Sequence, residues 1–349
     1  MKILVTKEQH WIDKWDQAIE QNRKGHYFQC STWAQSYRVY NFDQELVLLI
    51  DNETILAGYW AVIPRFSIVK FYIVPFGPIN FLADELELLE NEIIQRAKKH
   101  RCCYVQVTPF NTQENQFEWL SNVKHLNLRF SRGKKFKNIA IPTRISILDL
   151  KALSTEEDLL SSFKSSTRRH IRSSLKKELK LVIAITEAEL QEGYRMFEIN
   201  AKEGGYAVRS WKDFRKTILD SINNKQGKML LAYHQNQLKG AIYLYKSGDF
   251  YTYISGGTIK EKPDLKAGYF LHWQAIKISL AEGLKGYNIG HSGSPGVLRF
   301  KEGFNGLKID YPYTSHKILR PLLFRMYSLF YPLLRKHKKT IARILSKNK

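Results

Sequence analysis

A chain of 349 residues, 44% hydrophobic and 13% aromatic, can bury the cores of two ordinary domains, and no apolar run approaches the roughly 20 residues a membrane-spanning helix needs. Its net charge of +22 resides in three patches: Lys124–Arg144 and Lys164–Lys180 hold seven Lys/Arg each, His316–Lys349 holds ten, and Glu178 is the only acid among them. Unless they are plain solvated surface, patches of one sign collect polyanions such as tRNA, diphosphates or an anionic leaflet.

In chain order, the start MKILVTKEQHW has no apolar core before its first charges, so no secretory signal is expected. Trp11, Trp15, Ala18 and Ile19 predict an opening helix with Asp13 and Asp16 on its wet side. Ser31 and Thr32 are capping residues for a helix running toward Arg38. Asp84–His100 reads as an amphipathic helix and Cys103–Val107 as a short strand. Cys30, Cys102 and Cys103 are odd in number and accompany no CxxC or HxxxH spacing. They are expected to be small buried residues of a reduced cytoplasmic protein, with no metal and no cofactor implied. Lys124–Pro142 is a basic connector; Ser154–Glu157 carries helix-capping signals; Ser161–Lys180 and Glu187–Glu203 are expected helices. Further on come a helix over Ala267–Glu282, a strand over Gly286–Ile289, a glycine-rich loop and Arg299–Phe304. At the end, Leu319, Leu322, Leu323, Met326, Leu329, Phe330, Leu333 and Leu334 lie near helical spacing, with Pro321 and Pro332 expected to start or break helices. An apolar stripe with basic flanks suits a helix lying on an anionic membrane; the alternative is packing on the first domain with a loose basic tail.

The chain also repeats itself. VLLIDNETILAGYWAV (Val47–Val62) and KFYIVPFGPIN (Lys70–Asn80) correspond to MLLAYHQNQLKGAIYLY (Met229–Tyr245) and DFYTYISGG (Asp249–Gly257), with Leu48 aligned to Leu230 and Gly58 to Gly240. Each copy continues into an amphipathic helix and a short strand, the alternation expected of a sheet covered by helices. Two joined halves create a cleft where ligands sit.

The segment from Gly268 to Gly306 contains LHWQAI, YNIG and FKEGF in that order. This order resembles the C-terminal half of the FemABX aminoacyltransferases, in which a helix of the "LhWxAI" kind leads to a "YDxG" strand, a loop and an "FKxGF" segment. Other positions resemble the family across most of the chain. Ser31–Trp33 with Arg38 matches "S/DxxWaxxK/R"; Val74–Pro78 matches "xPrGPv", with Phe76 for a basic residue; Thr167–Arg172 matches "kxRxxIRka". Departures are Gln106-Val107-Thr108-Pro109 for "R(i/l)DP", Asn288 in "YDxG", and Asp213 where a tyrosine is expected four residues after Arg209.

The resemblance implies an α/β protein of two tandem GNAT-like domains, mixed sheets with flanking helices and no coiled-coil arm. The domains would be 1–145 and 146–315, with a C-terminal helix, 316–335, joining the first and a basic tail over 336–349. It further implies transfer of an amino acid from aminoacyl-tRNA to an amine of a peptidoglycan or related envelope precursor, nucleotide- or lipid-linked, in the cytoplasm or on the inner face of the membrane. Lys301 and the backbone of Phe300 would hold the transition state and the tRNA 3′ end, where one fixed donor is worth about 3 kcal/mol. Arg168, Arg169 and Arg172 would contact tRNA. Trp33, Arg38, Gly77 and Arg209 would contact the precursor, a guanidinium suiting diphosphate or carboxylate. Tyr104 and Tyr253 would line the acceptor cleft, with core packing as the alternative. His291, in the glycine loop, is a candidate proton acceptor or a turn-stabilising residue. No Ser/His/Asp or Cys/His set is legible, which favours direct transfer.

The main rival is an acyl-CoA N-acyltransferase, whose [R/Q]xxGx[G/A] turn would cradle pyrophosphate at a helix N-terminus. Only Gly268 fits in Leu265–Phe270. A membrane-associated RNA-binding protein without catalysis is the third class.

Overall fold

The computed structural model describes residues 1–66, 68–82, 87–110, 131–133, 141–151, 155–311 and 314–336. Most of the Lys124–Pro142 connector and of the basic tail lies outside them.

The first half runs β1 (Lys2–Thr6), α1 (Gln9–Gln21), α2 (Ser31–Gln35), β2 (Asp43–Asp51), β3 (Thr54–Ile63), β4 (Arg65–Phe66), β5 (Val69–Pro75), β6 (Ile79–Asn80), α3 (Glu87–Lys99), β7 (Tyr104–Thr108) and β8 (Ser131–Gly133). The second runs β9 (Arg144–Asp149), α4 (Glu156–Ser162), α5 (Ser165–Leu175), β10 (Lys180–Ile183), α6 (Glu187–Gly204), α7 (Trp211–Asn223), β11 (Gly227–His234), β12 (Gln237–Ser247), β13 (Phe250–Thr258), α8 (Ala267–Ala281), β14 (Gly286–Asn288), α9 (Pro295–Glu302) and β15 (Leu307–Asp310). β16 (Thr314–Ile318) and α10 (Pro321–Lys336) then return to the first half, so the return begins with a strand and not a helix.

Two sheets result. Their main paths are β1-β2-β3-β5-β7-β16-β8 and β10-β11-β12-β13-β14-β9-β15. Place for place the senses agree, with a single parallel joint in each, β5–β7 and β13–β14. The hairpins β2–β3 and β11–β12 both carry a bulge, skipping Leu56 and Lys239. Matched at these bulges, the equivalents of Leu48 and Gly58 are Leu231 and Ala241, each one residue beyond the Leu230 and Gly240 read from sequence. The shift matters because it changes the face. Leu48 and Leu231 both point into the core shared by the two halves, whereas Leu230 packs under α8.

That shared core joins Trp15, Leu48 and Trp60 to Met229, Tyr243 and Phe250. α3 covers the outer face of the first sheet through Leu89, Ile93 and Ala97. α4, α5 and α8 cover that of the second through Leu159, Ile171 and Trp273. A fully buried Leu, Ile, Phe or Met contributes roughly 1.5–3 kcal/mol, and the shared core holds the two halves as one packed unit.

Local departures have local causes. Asp16 is not on the wet side of α1: its carboxylate accepts from Ser31 N at 2.9 Å and from Ser31 Oγ, and burial pushes it up to about 6. The basic stretch Ser161–Lys180 is broken at Phe163, whose extended backbone lets its ring pack between Trp273 and Phe304. Pro321 starts α10, but Pro332 lies inside it, where it forfeits one backbone hydrogen bond. No helix among the described residues is long and apolar enough to cross a membrane.

Candidate active site

The site begins where the second sheet opens. β13 and β14 pair at Phe250–Gly286, Tyr251–Tyr287 and Thr252–Asn288, then part, while β14 continues along β9 with Ile289 N donating to Ser146 O at 2.9 Å. Buried Asn288 closes the fork: its amide donates to Thr252 Oγ1 at 3.4 Å and its Oδ1 accepts from Gly290 N at 2.9 Å. Asn in place of the family's Asp supplies that donor. Gly290 has φ +71°, which glycine adopts without strain.

Into this fork points Lys301. α9 starts at Ser294, whose hydroxyl accepts from Val297 N, with Pro295 at the first position. The helix therefore delivers Phe300 and Lys301 at its last turn, not in a loop. Lys301 is only 5% exposed; its Nζ donates to Ser292 O at 3.1 Å, stands 5.1 Å from the Tyr253 ring centre, and lies 3.4 Å from where a Cβ on Gly290 would be. Burial lowers the ammonium from 10.5 to about 8, and no carboxylate among the described residues is paired to it. Holding the charge there costs about 3 kcal/mol. His272, on α8, shares a hydrogen bond with Tyr287 OH at 2.7 Å, and burial followed by the Lys301 charge pushes it down to about 3, so it is neutral. Phe300 packs on Tyr269 and His272, with ring centres 4.7 and 5.3 Å apart. His291 is held below its usual range by burial and by Lys308 and Arg144, and its buried Nδ1 has no hydrogen-bond partner among the described residues.

Gly303 explains why FKEGF needs its glycine. A Cβ there would sit 2.1 Å from Thr167 Oγ1 on α5. Lys164 N also donates to Gly303 O at 3.0 Å. α5 is thus seated directly on the end of α9, bringing Arg168, Arg169 and Arg172 beside the site. Together with Lys176 and Lys177 they line an open concavity of about 690 Å³. Arg168 donates to Phe163 O and Ser161 O; Arg172 reaches Glu157 at 3.4 Å; Arg169 is exposed.

A second cluster forms between the halves around Arg209. Its guanidinium donates to Ser36 Oγ at 2.9 Å and lies 4.8–5.7 Å from the ring centres of Phe214, Tyr37, Tyr40 and Trp33. The backbone is fixed by Tyr194 OH, which donates to Arg209 O at 2.8 Å. Asn200 ties the adjoining segment to β13, donating to Tyr206 OH and to Gly256 O.

Apart from Trp33, which is one of the rings facing Arg209, the remaining sequence candidates lie outside both clusters. Arg38 shares the Ser36–Tyr40 turn but is exposed and donates to Gln44 Oε1 at 3.1 Å. Trp33 is buried in the shared core. Gly77 faces Gln29, 2.8 Å from where its Cβ would be. Tyr104 is buried in the first half, its ring stacked on Phe324 at 5.0 Å. The aromatic surround of Arg209 escaped sequence reading. Its signal was the tyrosine pair in Ser36–Tyr40, meaningful only with a cation to face it. Among the described residues no group of three His, Cys, Asp or Glu could hold a metal.

A family model described as an acetyltransferase (GNAT) domain matches residues 161–302, which contain the fork and α9. Two curated relatives from Staphylococcus aureus strains, each named aminoacyltransferase FemA, are 23% and 22% identical over 75% of this chain and 82% of theirs. Among solved structures, FemX superposes with a TM-score of 0.76 at 13% identity, covering 93% of this chain and 99% of that one. The C-terminal domain of a putative lysylphosphatidylglycerol synthetase from Agrobacterium fabrum gives 0.54 at 10% identity, covering 93% and 98%. With two GNAT-like sheets and Lys301 in the fork of the second, this chain is an acyltransferase that resembles the FemABX family.

Proposed function

We propose that this protein is an aminoacyltransferase that moves an amino acid from aminoacyl-tRNA onto an amine of a peptidoglycan or related cell-envelope precursor, working from the cytoplasmic side. The observation that carries the proposal is the uncompensated ammonium of Lys301 in the sheet fork. An amine attacking the ester carbonyl builds negative charge on the carbonyl oxygen. A fixed cation in a water-poor site stabilises that charge without reorganising. The new amide bond forms as the ester C–O bond breaks, the ribose hydroxyl leaves, and the amine's proton passes to it or to solvent. No covalent enzyme intermediate is needed, and the three cysteines suit none: all are buried, and burial pushes Cys102 and Cys103 up to about 12 and about 11. The α5 arginines supply phosphate contacts for tRNA, and Arg209 a cation for the acceptor.

Acyl-CoA as donor is disfavoured by the α8 N-terminus. Asp264 already accepts from Lys266 N there, at 2.8 Å, and Phe300 lies 3.8 Å from the Cβ position of Gly268. A diphosphate would meet a carboxylate and a ring instead of open amides. The test supplies purified protein with charged tRNA, or with acetyl-CoA, together with soluble precursor. Label moving from tRNA to the acceptor amine is expected; turnover from acetyl-CoA alone supports the rival, and tRNA binding without transfer to any acceptor supports the non-catalytic class.

A further inference from the structure

α10 is apolar on two faces. Inward, Phe324 stacks on Tyr104 and Tyr327 meets Phe71 with ring centres 4.8 Å apart. Outward, Leu322, Met326 and Leu329 stand 81%, 51% and 69% exposed, one turn apart along a stripe. Beside them the β4–β5 hairpin exposes Phe66 at 43% and Ile68 at 69%, and Phe66 contacts Tyr327 at 6.4 Å. Such a contiguous apolar patch on an otherwise polar surface marks an interaction site. Its rim is cationic: Lys317, Arg320 and Arg325 are exposed and make no ion pair among the described residues. Neither the hairpin, residues 65–70, nor anything from residue 311 onward contains an Asp or Glu.

We propose that the outer stripe of α10 and the tip of the β4–β5 hairpin form one docking surface for an anionic bilayer. Apolar side chains with a cationic rim match the acyl boundary and its headgroups. A second copy of this chain would set the same cations against each other, which costs energy. The patch also adjoins the Arg209 cluster through a run of rings. Phe66 meets Phe42 at 6.2 Å, Phe42 meets Tyr40 at 5.8 Å, and Arg209 covers Tyr40 at 5.3 Å. A bilayer on this face would lie beside the proposed acceptor cation, favouring a lipid-linked precursor; that consequence, unlike the docking itself, rests on the proposed function.

The experiment is flotation of the full-length protein with phosphatidylcholine vesicles, with and without phosphatidylglycerol, beside the variant Leu322→Ser/Met326→Ser/Leu329→Ser. The wild type is expected to float with the anionic vesicles only, and the variant to lose about tenfold or more of that binding. Its far-UV circular dichroism and transfer to a water-soluble acceptor should be unchanged. Four results overturn the proposal: a wild type that does not float, one that floats equally on phosphatidylcholine alone, a variant that floats like the wild type, or a wild-type dimer that the variant dissolves without changing flotation. Failure of the transferase reading shows separately, as no wild-type transfer to the soluble acceptor.

Discussion

The two sheets have the same strand order and the same single parallel joint, yet only one carries an opening. In the second half β13 and β14 pair over three residues and then part around Lys301. In the first, β5 and β7 stay paired over five, from Phe71–Tyr104 to Pro75–Thr108. Beyond Pro75, Phe76 is buried among His26, Phe110 and Tyr311, and Gln29 fills the space beside Gly77, donating to Pro75 O and Trp60 O. α10 seals the opposite face over Tyr104. One scaffold is therefore used in two ways: where the joint stays shut its residues pack together, and where it opens a buried cation is held at a cost in stability.

The largest test of this contrast is Lys301→Ala, expected to fold and to lose roughly 100-fold or more of the transfer rate, the size of one oxyanion donor. Lys301→Met sharpens it. By removing a buried charge, it should be inactive yet no less stable at neutral pH, with a gain of up to about 3 kcal/mol in denaturant unfolding. A less stable Met variant would mean that the lysine is structural.

The two glycines compare the halves directly. Gly303→Ala drives a methyl against Thr167 Oγ1 and should cost about 1–3 kcal/mol while also slowing transfer, because α5 shifts from the site. Thr167→Ala in the same chain should restore both. Gly77→Ala meets Gln29 and should cost a similar amount in thermal unfolding with kcat unchanged. Equal effects of the two on kcat would erase the distinction between an open and a closed joint.

Arg209→Lys keeps the charge but loses the planar group facing four rings. About a tenfold rise in KM for the acceptor is expected, with kcat nearly constant. A fall in kcat alone would place Arg209 in the chemistry instead.

The smallest effect is on pH. Lys301 is lowered from 10.5 to about 8 by burial, so it is charged at neutral pH. Rates measured with the acceptor amine saturating should halve near pH 8 and fall about tenfold per further pH unit. Stability moves the other way: between about 8 and 10.5 the unfolded chain binds the extra proton, so this lysine's contribution rises with pH over that window. In Lys301→Arg the basic limb should move higher; an unmoved limb would assign it to another group.

Sequence alone determined the class of the fold, because period-two strands, helical stripes and a repeat are local patterns. The existence of the repeat, and the helix expected over Ala267–Glu282 and found over Ala267–Ala281, needed nothing distant to be read. It also singled out FKEGF, though without placing it on a helix. Tertiary structure decided the rest. The strand register set the two copies one residue away from the alignment read in sequence, and so decided which leucine faces the shared core, a choice pairing alone controls. Asp16 moved from solvent to Ser31 because a carboxylate finds its donor in space, not in spacing. The fork around Lys301 opens where β14 stops pairing with β13 but goes on along β9, through Ile289 N to Ser146 O, some 140 residues away in the chain. Tyr104 and Tyr253 look alike as tyrosines on a strand. One is covered by α10 and the other faces the buried ammonium, and the difference lies wholly in which strands part and which stay closed.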